Sequence, residues 1–382
     1  MASTTAEFVY DPSTVAFQDE IWDVYRRLRD EFPLFHDTAK NQYVLSRFED
    51  VWRAVHDWET FSSDVAEANS LLPQMIYFDP PRHTEMRALV SRAFTPRRVA
   101  EIEPLVRRTA HQLLDEIAEH DRCDVQHDFA AVLPSAVIAR MIGLPDELVA
   151  TFRGWTDSFL EIQGADDYAE AAANIYGMFG TLLAERRQQP RDDLMSALLQ
   201  AEVDGRTLGD EELLGFCLLL VLAGNDTTSS LIGNGTVLLA RDPDQRTKLL
   251  DDPSLWPNAI EEMNRIESPT QVLPRTTTRD VELHGGTIPS GSRVMLIWGA
   301  ANHDDREFDD PEGFDITRAI GRHLAFGHGV HYCLGANLAR LEARAALEEW
   351  HARFPEYELD GDPRRAVSIW ARAFSRVPLR LG

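Results

Sequence analysis

The stretch FGHGVHYCLG, Phe326 to Gly335, surrounds one cysteine with three glycines and two histidines. An alanine-rich segment, ANLARLEARAALEEW, follows it directly. Glycine lets a backbone turn tightly and approach a flat ligand closely. A helix that begins just after Cys333 would bring free amides and the positive helix end near the sulfur, which lowers a thiol pKa and stabilises a thiolate. We therefore expect Cys333 to be a metal ligand or a nucleophile.

Two other interpretations of this cysteine stay open at this point. Free cysteine is among the most buried residue types, so Cys333 would also fit a purely structural role. Zinc bound by His328, His331 and Cys333 is the second alternative. It is weakened because zinc takes four ligands at tetrahedral spacing and the sequence has no second Cys-x-x-Cys cluster.

Composition narrows the class of protein. The chain has 382 residues, of which 44% are hydrophobic and 26% charged, enough for a large packed core. No Pro/Gly/Ser-rich linker divides it, so we predict a single domain over residues 1–382. The net charge of −25 argues against nucleic acid as a partner. No signal peptide or membrane-length apolar run is present, which predicts a cytoplasmic protein without a membrane partner.

Helical periodicity dominates the pattern of apolar residues. DEIWDVYRRLRDEF, PLVRRTAHQLLDEIAEH and LGANLARLEARAALEEW repeat apolar residues three and four apart, as amphipathic helices do. Strand-like runs are fewer, namely NQYVLSRF and VELHGGTIPSGSRVMLIWG. We therefore predict a mainly α fold with a small β portion.

One helix should run buried through the protein centre, because Leu213 to Ala223 is apolar on nearly every face. The segment AGNDTT, from Ala223 to Thr228, then places turn-forming and polar residues before an apolar pattern resumes. An acid and an alcohol inside an apolar helix are costly unless hydrogen-bonded. We predict a locally opened helix in which Asp226 and Thr227 face a cavity.

A third pattern is Glu262-Met-Asn-Arg265, in AIEEMNRIESP. A carboxylate and a guanidinium three residues apart on a helix can pair, and alone the pattern usually means no more than a solvated helix face.

Together the three patterns resemble the cytochromes P450 of soluble bacterial type. FGHGVHYCLG is similar to their cysteine-ligand loop, AGNDTT to their oxygen-activation motif, and EEMNR to their Glu-x-x-Arg pair. A fourth stretch, DPPRHTEMRALVSRAFTPRRV, resembles the helix that crosses the haem. The resemblance implies the P450 fold, with a long central helix over a thiolate-ligated haem b. It implies Cys333 as the metal ligand, Phe326 and Gly335 as further cofactor-binding residues, and four residues holding the haem propionates: His83, Arg87, Arg275 and His331.

The sequence departs from the family pattern at one position. The family usually carries a basic residue that completes a triad with the Glu-x-x-Arg pair, and here DPEGFDITR places Gly313 there. Glu262 and Arg265 are therefore expected to form a structural pair, with Arg318 or a neighbour as a candidate replacement for the third member.

The resemblance also implies a function. It predicts a monooxygenase that inserts one oxygen atom from O2 into an organic substrate, with Asp226 and Thr227 as catalytic residues that relay protons. Electrons would come from a separate ferredoxin and its reductase. A docking patch for that acidic partner is predicted from arginines at positions 92, 97, 98, 107, 108, 322, 340 and 344. A peroxide-driven peroxygenase is one alternative, and a haem sensor or electron carrier is another.

The substrate is predicted from the residues expected to line the pocket. These are nearly all apolar and include no cation that would pair with a buried carboxylate. We therefore expect a small neutral lipophilic molecule, such as a steroid or terpenoid. The predicted pocket residues are Leu71, Leu72, Met75, Ile76, Leu219, Leu220, Ala223, Val272, Leu273, Ile369 and Trp370.

Overall fold

The structure is a computed structural model that describes residues 8–64, 74–160 and 165–382, and every structural statement below concerns these residues. It is mainly helical, as predicted. The helices in chain order are α1 Val15–Asp19, α2 Ile21–Asp30, α3 Phe48–His56, α4 Arg82–Ser91, α5 Pro96–Ile117, α6 Val132–Met141, α7 Asp146–Leu160, α8 Ala165–Gln188, α9 Leu194–Leu199, α10 Asp210–Arg241, α11 Pro243–Asp251, α12 Trp256–Ile266, α13 Trp298–Ala301 and α14 Ala336–Arg353.

The β portion is small and split into several sheets. The largest sheet has the order β1-β2-β10-β7-β3, and a second has the order β11-β14-β4. In the largest sheet β10 pairs antiparallel with β7 and parallel with β2. The strands are β1 Phe35–Asp37, β2 Gln42–Leu45, β3 Phe61–Ser62, β4 Arg122–Asp124, β5 Glu202–Val203, β6 Arg206–Thr207, β7 Val272–Thr277, β8 Val281–Leu283, β9 Gly286–Ile288, β10 Arg293–Ile297, β11 Tyr357–Leu359, β12 Arg364–Arg365, β13 Phe374–Arg376 and β14 Pro378–Leu381.

Helix α10 is the central element. It has 32 residues, and acidic residues in its first turn complement the positive end of the helix dipole. It packs against α6, α8, α12 and α14. By length and mean hydropathy it is the one helix in the described chain that would also suffice to cross a membrane, but 61% of its most apolar window is buried inside the protein. A central core helix satisfies the same criterion.

Three elements bring the predicted site residues to one place. Helix α14 begins at Ala336, directly after the cysteine loop, and packs against α10 and α12. Strand β7 carries Leu273 and Arg275 toward the same region, and α4 carries His83 and Arg87. Side chains from all of them line a common internal cavity of about 370 Å³.

Candidate functional site

The cysteine loop is held in a shape that requires glycine. Gly327 and Gly329 have φ of 61° and 67°, in the left-handed region. A Cβ on Gly329 would also lie 2.4 Å from the carbonyl oxygen of Val55. The Cys333 amide donates to the Phe326 carbonyl at 2.9 Å and closes the loop. The loop thus places Phe326, Cys333 and Gly335 on the wall of the cavity.

The pKa of the Cys333 thiol is raised rather than lowered, contrary to the prediction from the sequence. Burial raises its pKa and outweighs the Gly335 amide and the charges of Arg87 and Arg340, which act in the opposite direction. The sequence indicated that an amide would stabilise the thiolate, but it did not show how deeply the Cys333 thiol is buried. Since metal binding displaces a thiol proton, a cation beside the sulfur would reverse this balance.

Three donor side chains, those of His83, Arg87 and His331, line one side of the cavity. Arg275 lies close enough to His331 to add to the lowering of the His331 pKa by burial. The rings of His83 and His331 lie 4.2 Å apart, and both ring nitrogens of His83 are buried without a hydrogen-bond partner. Arg275 is buried and donates to its own neighbour, the Pro274 carbonyl, at 2.7 Å. Arg87 donates to the Tyr332 carbonyl at 2.6 Å. No carboxylate in the described chain forms an ion pair with either arginine. We call these four residues the cationic rim.

Burial lowers the pKa of each member of the rim. It lowers the pKa of His83 to about 4 and that of His331 to about 2, with further lowering by the neighbouring arginines, so both rings are neutral near pH 7. The pKa of Arg275 falls to about 10 for the same reason, and the guanidinium stays charged. Arg275 is buried and Arg87 half-buried, no carboxylate of the described chain pairs with either, and both ring nitrogens of His83 lack a partner there; this donor set suits an anionic ligand with several oxygens.

The central helix passes over the cavity without a break. The prediction of a locally opened helix was wrong, because α10 continues from Asp210 to Arg241. The Thr227 hydroxyl donates to the Ala223 carbonyl at 2.6 Å, so the polar side chain is accommodated within an intact helix. Thr227 lines the cavity, whereas Asp226 is half-buried and is not among the described residues that line it.

Comparison with known proteins gives a consistent result. The family model described as Cytochrome P450 matches residues 162–253 and 250–355. Cytochrome P450 130 from Mycobacterium tuberculosis is 41% identical over 360 residues, which cover 88% of this chain and 89% of that protein. Vitamin D(3) 25-hydroxylase from Pseudonocardia autotrophica is 37% identical over 396 residues, covering 100% of this chain and 98% of that one. The crystal structure of CYP109E1 from Bacillus megaterium in complex with testosterone aligns with a TM-score of 0.89 at 34% identity, covering 94% and 99% of the two chains.

The chain belongs to the cytochrome P450 family. Membership makes it a haem-dependent monooxygenase rather than a haem sensor or an electron carrier. Members of the family bind haem b through a cysteine thiolate, and the cavity fits that group. It offers one thiol, that of Cys333, and a cationic rim whose two guanidinium groups and unpartnered His83 ring suit two propionate carboxylates. The resemblance drawn from the sequence is thereby confirmed for family, fold and cofactor.

The zinc alternative does not fit this P450. The structure groups no three His, Cys, Asp or Glu side chains that could hold a metal ion within its described residues. His328 is directed instead toward His56, with 2.8 Å between Nδ1 of His328 and Nε2 of His56. His331 contacts the Ser63 hydroxyl at 2.9 Å through Nε2.

The Glu-x-x-Arg pair lies in the core and has a third member. Glu262 and Arg265 are both fully buried, and Arg265 donates to both carboxylate oxygens of Glu262 at 2.7 and 2.8 Å. Arg318 donates to Glu262 Oε1 at 3.0 Å from a different segment. The interpretation as a solvated helix face is therefore excluded, and Arg318 takes the place that Gly313 leaves open.

The substrate side of the cavity matches the prediction only in part. Val272 does not line it, because alternate strand residues point to opposite faces and Val272 packs into the core beside Ile297 while Leu273 faces the cavity. Ile369 and Trp370 are 39% exposed and lie outside the lining. Leu71 and Leu72 lie outside the described residues. The predicted residues that do line the cavity are Met75, Ile76, Leu219, Leu220, Ala223 and Leu273.

Sequence reasoning missed several polar residues in the cavity wall, among them Gln74, Thr228 and Asn264. Two of those missed, Glu342 and Trp298, have a buried polar atom without a partner in the described chain. Glu342 is buried, and its Oε2 has no hydrogen-bond partner in the described chain. Burial raises its pKa well above the usual value for glutamate, because desolvation disfavours the charged form. Its position between Leu338 and Ala346, at helical spacing on the apolar face of α14, was the available indication. Trp298 is the second, and its indole N–H is likewise buried without a partner.

Proposed function

We propose that this cytochrome P450 hydroxylates neutral lipophilic molecules with electrons from a separate ferredoxin and its reductase. The apolar wall of the cavity carries this proposal. Met75, Ile76, Leu219, Leu220 and Leu273 form it, together with Phe94 and Phe216. The histidines and arginine that also border the cavity belong to the cationic rim, so they are engaged by the propionates rather than by substrate. An apolar surface of this kind favours a ligand at roughly 25 cal/mol per Å² of buried hydrocarbon.

Two comparisons support a polycyclic substrate. The relative from Pseudonocardia autotrophica is named a vitamin D(3) 25-hydroxylase, and the Bacillus megaterium structure holds testosterone. Vitamin D(3) and testosterone are both neutral molecules built on several rings. We extend this class of substrate to the present chain because its cavity wall is apolar, and an apolar wall favours a neutral hydrocarbon ligand over a charged one.

Thr227 and Asp226 are proposed to control proton delivery. When bound, thiolate-ligated haem supplies the activation of O2. The Thr227 hydroxyl uses its proton to bond the Ala223 carbonyl, which leaves its lone pairs directed at the cavity as acceptors. Asp226, one residue earlier on α10 and half-buried, is proposed to exchange protons between the surface and that hydroxyl through water.

The ferredoxin site is proposed on a smaller set of arginines than the sequence predicted. Arg107 bonds three glutamates, and Arg344 approaches two of the same three. Arg97, Arg322 and Arg340 are paired with Glu101, Glu307 and Glu261, respectively. Arg92, Arg98 and Arg108 are exposed and form no ion pair within the described chain. These three, which we call the free arginines, are proposed to attract an acidic partner.

We also propose a single haem domain over residues 1–382 in the cytoplasm. The relatives are bacterial and align over nearly the full length of the chain, which supports both proposals.

Substrate titration tests the proposal. Displacement of water from the haem iron by a bound substrate changes the absorption spectrum, and the panel should contain a neutral steroid, a terpenoid and a compact aromatic carboxylate. We expect the neutral compounds to bind at least roughly tenfold more tightly than the acid, because a buried carboxylate would lack a partner. Tight binding of the acid, with no response to any neutral compound, would contradict the proposal.

A peroxide-driven peroxygenase remains the second candidate and needs a separate assay. With ferredoxin, reductase and a bound neutral substrate, we expect the parent enzyme to form product while releasing little hydrogen peroxide. Thr227→Ala should divert reducing equivalents from product to hydrogen peroxide. Ser230→Ala is the matched control, because Ser230 donates to the Asp226 carbonyl in the same manner and does not line the cavity. Turnover with hydrogen peroxide alone that exceeds the ferredoxin-supported rate would favour the peroxygenase.

A further inference from the structure

Trp298 is a buried donor without an acceptor. It begins α13 directly after strand β10, and its side chain is 6% exposed. The indole N–H has no hydrogen-bond partner in the described chain. Leaving a buried donor unsatisfied is unfavourable, and tryptophan N–H groups usually find a partner when buried. The residue therefore has an unfilled hydrogen bond for which the described part of the chain offers no acceptor.

The position of the indole identifies where the acceptor lies. Trp298 borders the haem cavity together with Ala325, Phe326 and His331 of the cysteine loop. A Cβ placed on Gly327 would lie 3.0 Å from the indole Cη2, so the ring packs directly under that loop. The ring also belongs to an apolar cluster with Phe48, Val55, Phe61 and Leu324, whose side chains offer no hydrogen-bond acceptor. The cavity is thus the direction left from which a polar partner can come.

The haem supplies the missing acceptor. Its propionates are the carboxylates that the cationic rim requires, and His331, a member of that rim, borders the cavity beside Trp298. We propose that the Trp298 indole N–H donates a hydrogen bond to a haem propionate and helps to retain the cofactor. Trp298 is a neutral donor, so it adds a hydrogen bond without adding a buried charge. This inference rests on the binding of haem b, which the family establishes, and not on the proposed substrate or redox partner.

The chain contains a matched control for this proposal. Trp350 is also fully buried with an unpartnered indole N–H. It lies in the core formed by α5, α10 and α14 and does not line the cavity. If orphaned indoles were merely a feature of packing, both tryptophans should respond to substitution alike. Only Trp298 should affect the haem if the proposal is correct.

The test is the rate of haem loss from the ferric holoenzyme to an excess of apomyoglobin. Trp298→Phe should lose haem about tenfold faster, as expected for the loss of roughly 1.4 kcal/mol, within the range of a hydrogen bond to a charged group. Trp350→Phe should stay within about twofold of the parent. The propionate bending band in the resonance Raman spectrum should shift in Trp298→Phe and not in Trp350→Phe, a change that loosened packing alone would not produce selectively.

An isosteric replacement covers the case in which Trp298→Phe fails to fold. Site-specific incorporation of benzothienylalanine at position 298 exchanges the indole N–H for sulfur and keeps the shape of the ring, with the same replacement at position 350 as control. Faster haem loss and a shifted propionate band at position 298 only would support the proposal. Unchanged haem loss and an unchanged band at position 298, or equal effects at both positions, would overturn it, while leaving the proposed substrate and redox partner untouched.

Discussion

Two groups of buried charges in this cytochrome P450 differ in how their charges are balanced. Around Glu262, the carboxylate accepts from Arg265 and Arg318, and Arg265 also donates to the carbonyls of Asn302 and Pro311. In the cationic rim, the Arg275 guanidinium donates to the carbonyl of its neighbour Pro274. Neither ring nitrogen of His83 has a hydrogen-bond partner among the described residues. The first group is complete within the chain. The second is complete only with a ligand, because buried polar groups without partners are destabilising unless something bound satisfies them.

Structural charges and ligand-binding charges in this chain differ in where their partners come from, and no motif is needed to tell them apart. A buried charge whose partners all come from the chain stabilises the fold, and replacing it should affect unfolding. A buried donor or acceptor without a partner in the described chain indicates a ligand when it borders a cavity, as Trp298 and Glu342 do; Trp350 is unpartnered too, but it lies in the core away from the cavity. Both ring nitrogens of His83, the Trp298 indole N–H and Glu342 Oε2 have no partner in the described chain, and these residues border the same cavity as Cys333.

Cys333 is expected to give the largest effect. Cys333→His should abolish the red-shifted absorption band of the reduced carbon monoxide complex, because that band requires a thiolate ligand. Cys123→Ser and Cys217→Ser are the controls. Burial raises the pKa of both control thiols, and neither lines the cavity. A Cys333 variant that keeps the band would remove this residue from the haem site.

Glu262 comes next and tests the complete group. Glu262→Ala leaves Arg265 buried without its anion, which costs roughly 3–5 kcal/mol in comparable cases. Urea unfolding should show a lower midpoint, and little haem-loaded protein should accumulate. Glu312→Ala, an exposed glutamate nearby, should behave like the parent. Equal stability of both variants would show that Glu262 contributes no more than a surface charge.

The sequence could predict those parts of the site that depend on local spacing. The separations of Phe326 from Cys333 and of Glu262 from Arg265 are set within one loop and one helix turn, so the sequence alone shows that each pair can lie close together. Their roles come from the resemblance of the whole set of motifs to the family. Arg318 could only be suggested, since its contact with Glu262 depends on how two distant segments pack. Whether Val272 or Leu273 lines the cavity depends on strand register. The exposure of Ile369 and Trp370 depends on the path of the C-terminal segment. Neither property can be predicted from the pattern of hydrophobic residues alone.

The pH dependence of stability tests Glu342, the unpaired acid. Its folded-state pKa is raised by burial, so the folded protein keeps a proton that the unfolded chain releases above about pH 4.3. Stability therefore falls as pH rises from that value toward the folded pKa, by up to about 1.4 kcal/mol per pH unit. Glu342→Gln should flatten this dependence in urea unfolding of the holoenzyme between pH 5 and 7. Glu116→Gln, an exposed control, should keep it, and parallel curves for all three proteins would contradict a raised pKa.

The smallest expected effect concerns paired and free charges at the surface. Reversing two free arginines, in Arg92→Glu/Arg98→Glu, should raise the ferredoxin concentration for half-maximal rate roughly threefold at low salt and less at high salt, because exposed charges are screened. Arg364→Glu is the control for the single reversal Arg92→Glu, which changes the net charge by the same amount, since Arg364 is exposed, forms no ion pair in the described chain and lies on β12. Arginines already paired with glutamates should contribute less, because their charge is balanced before the partner arrives. An equal effect at both salt concentrations, or an equal effect of Arg92→Glu and Arg364→Glu, would place ferredoxin docking away from the free arginines.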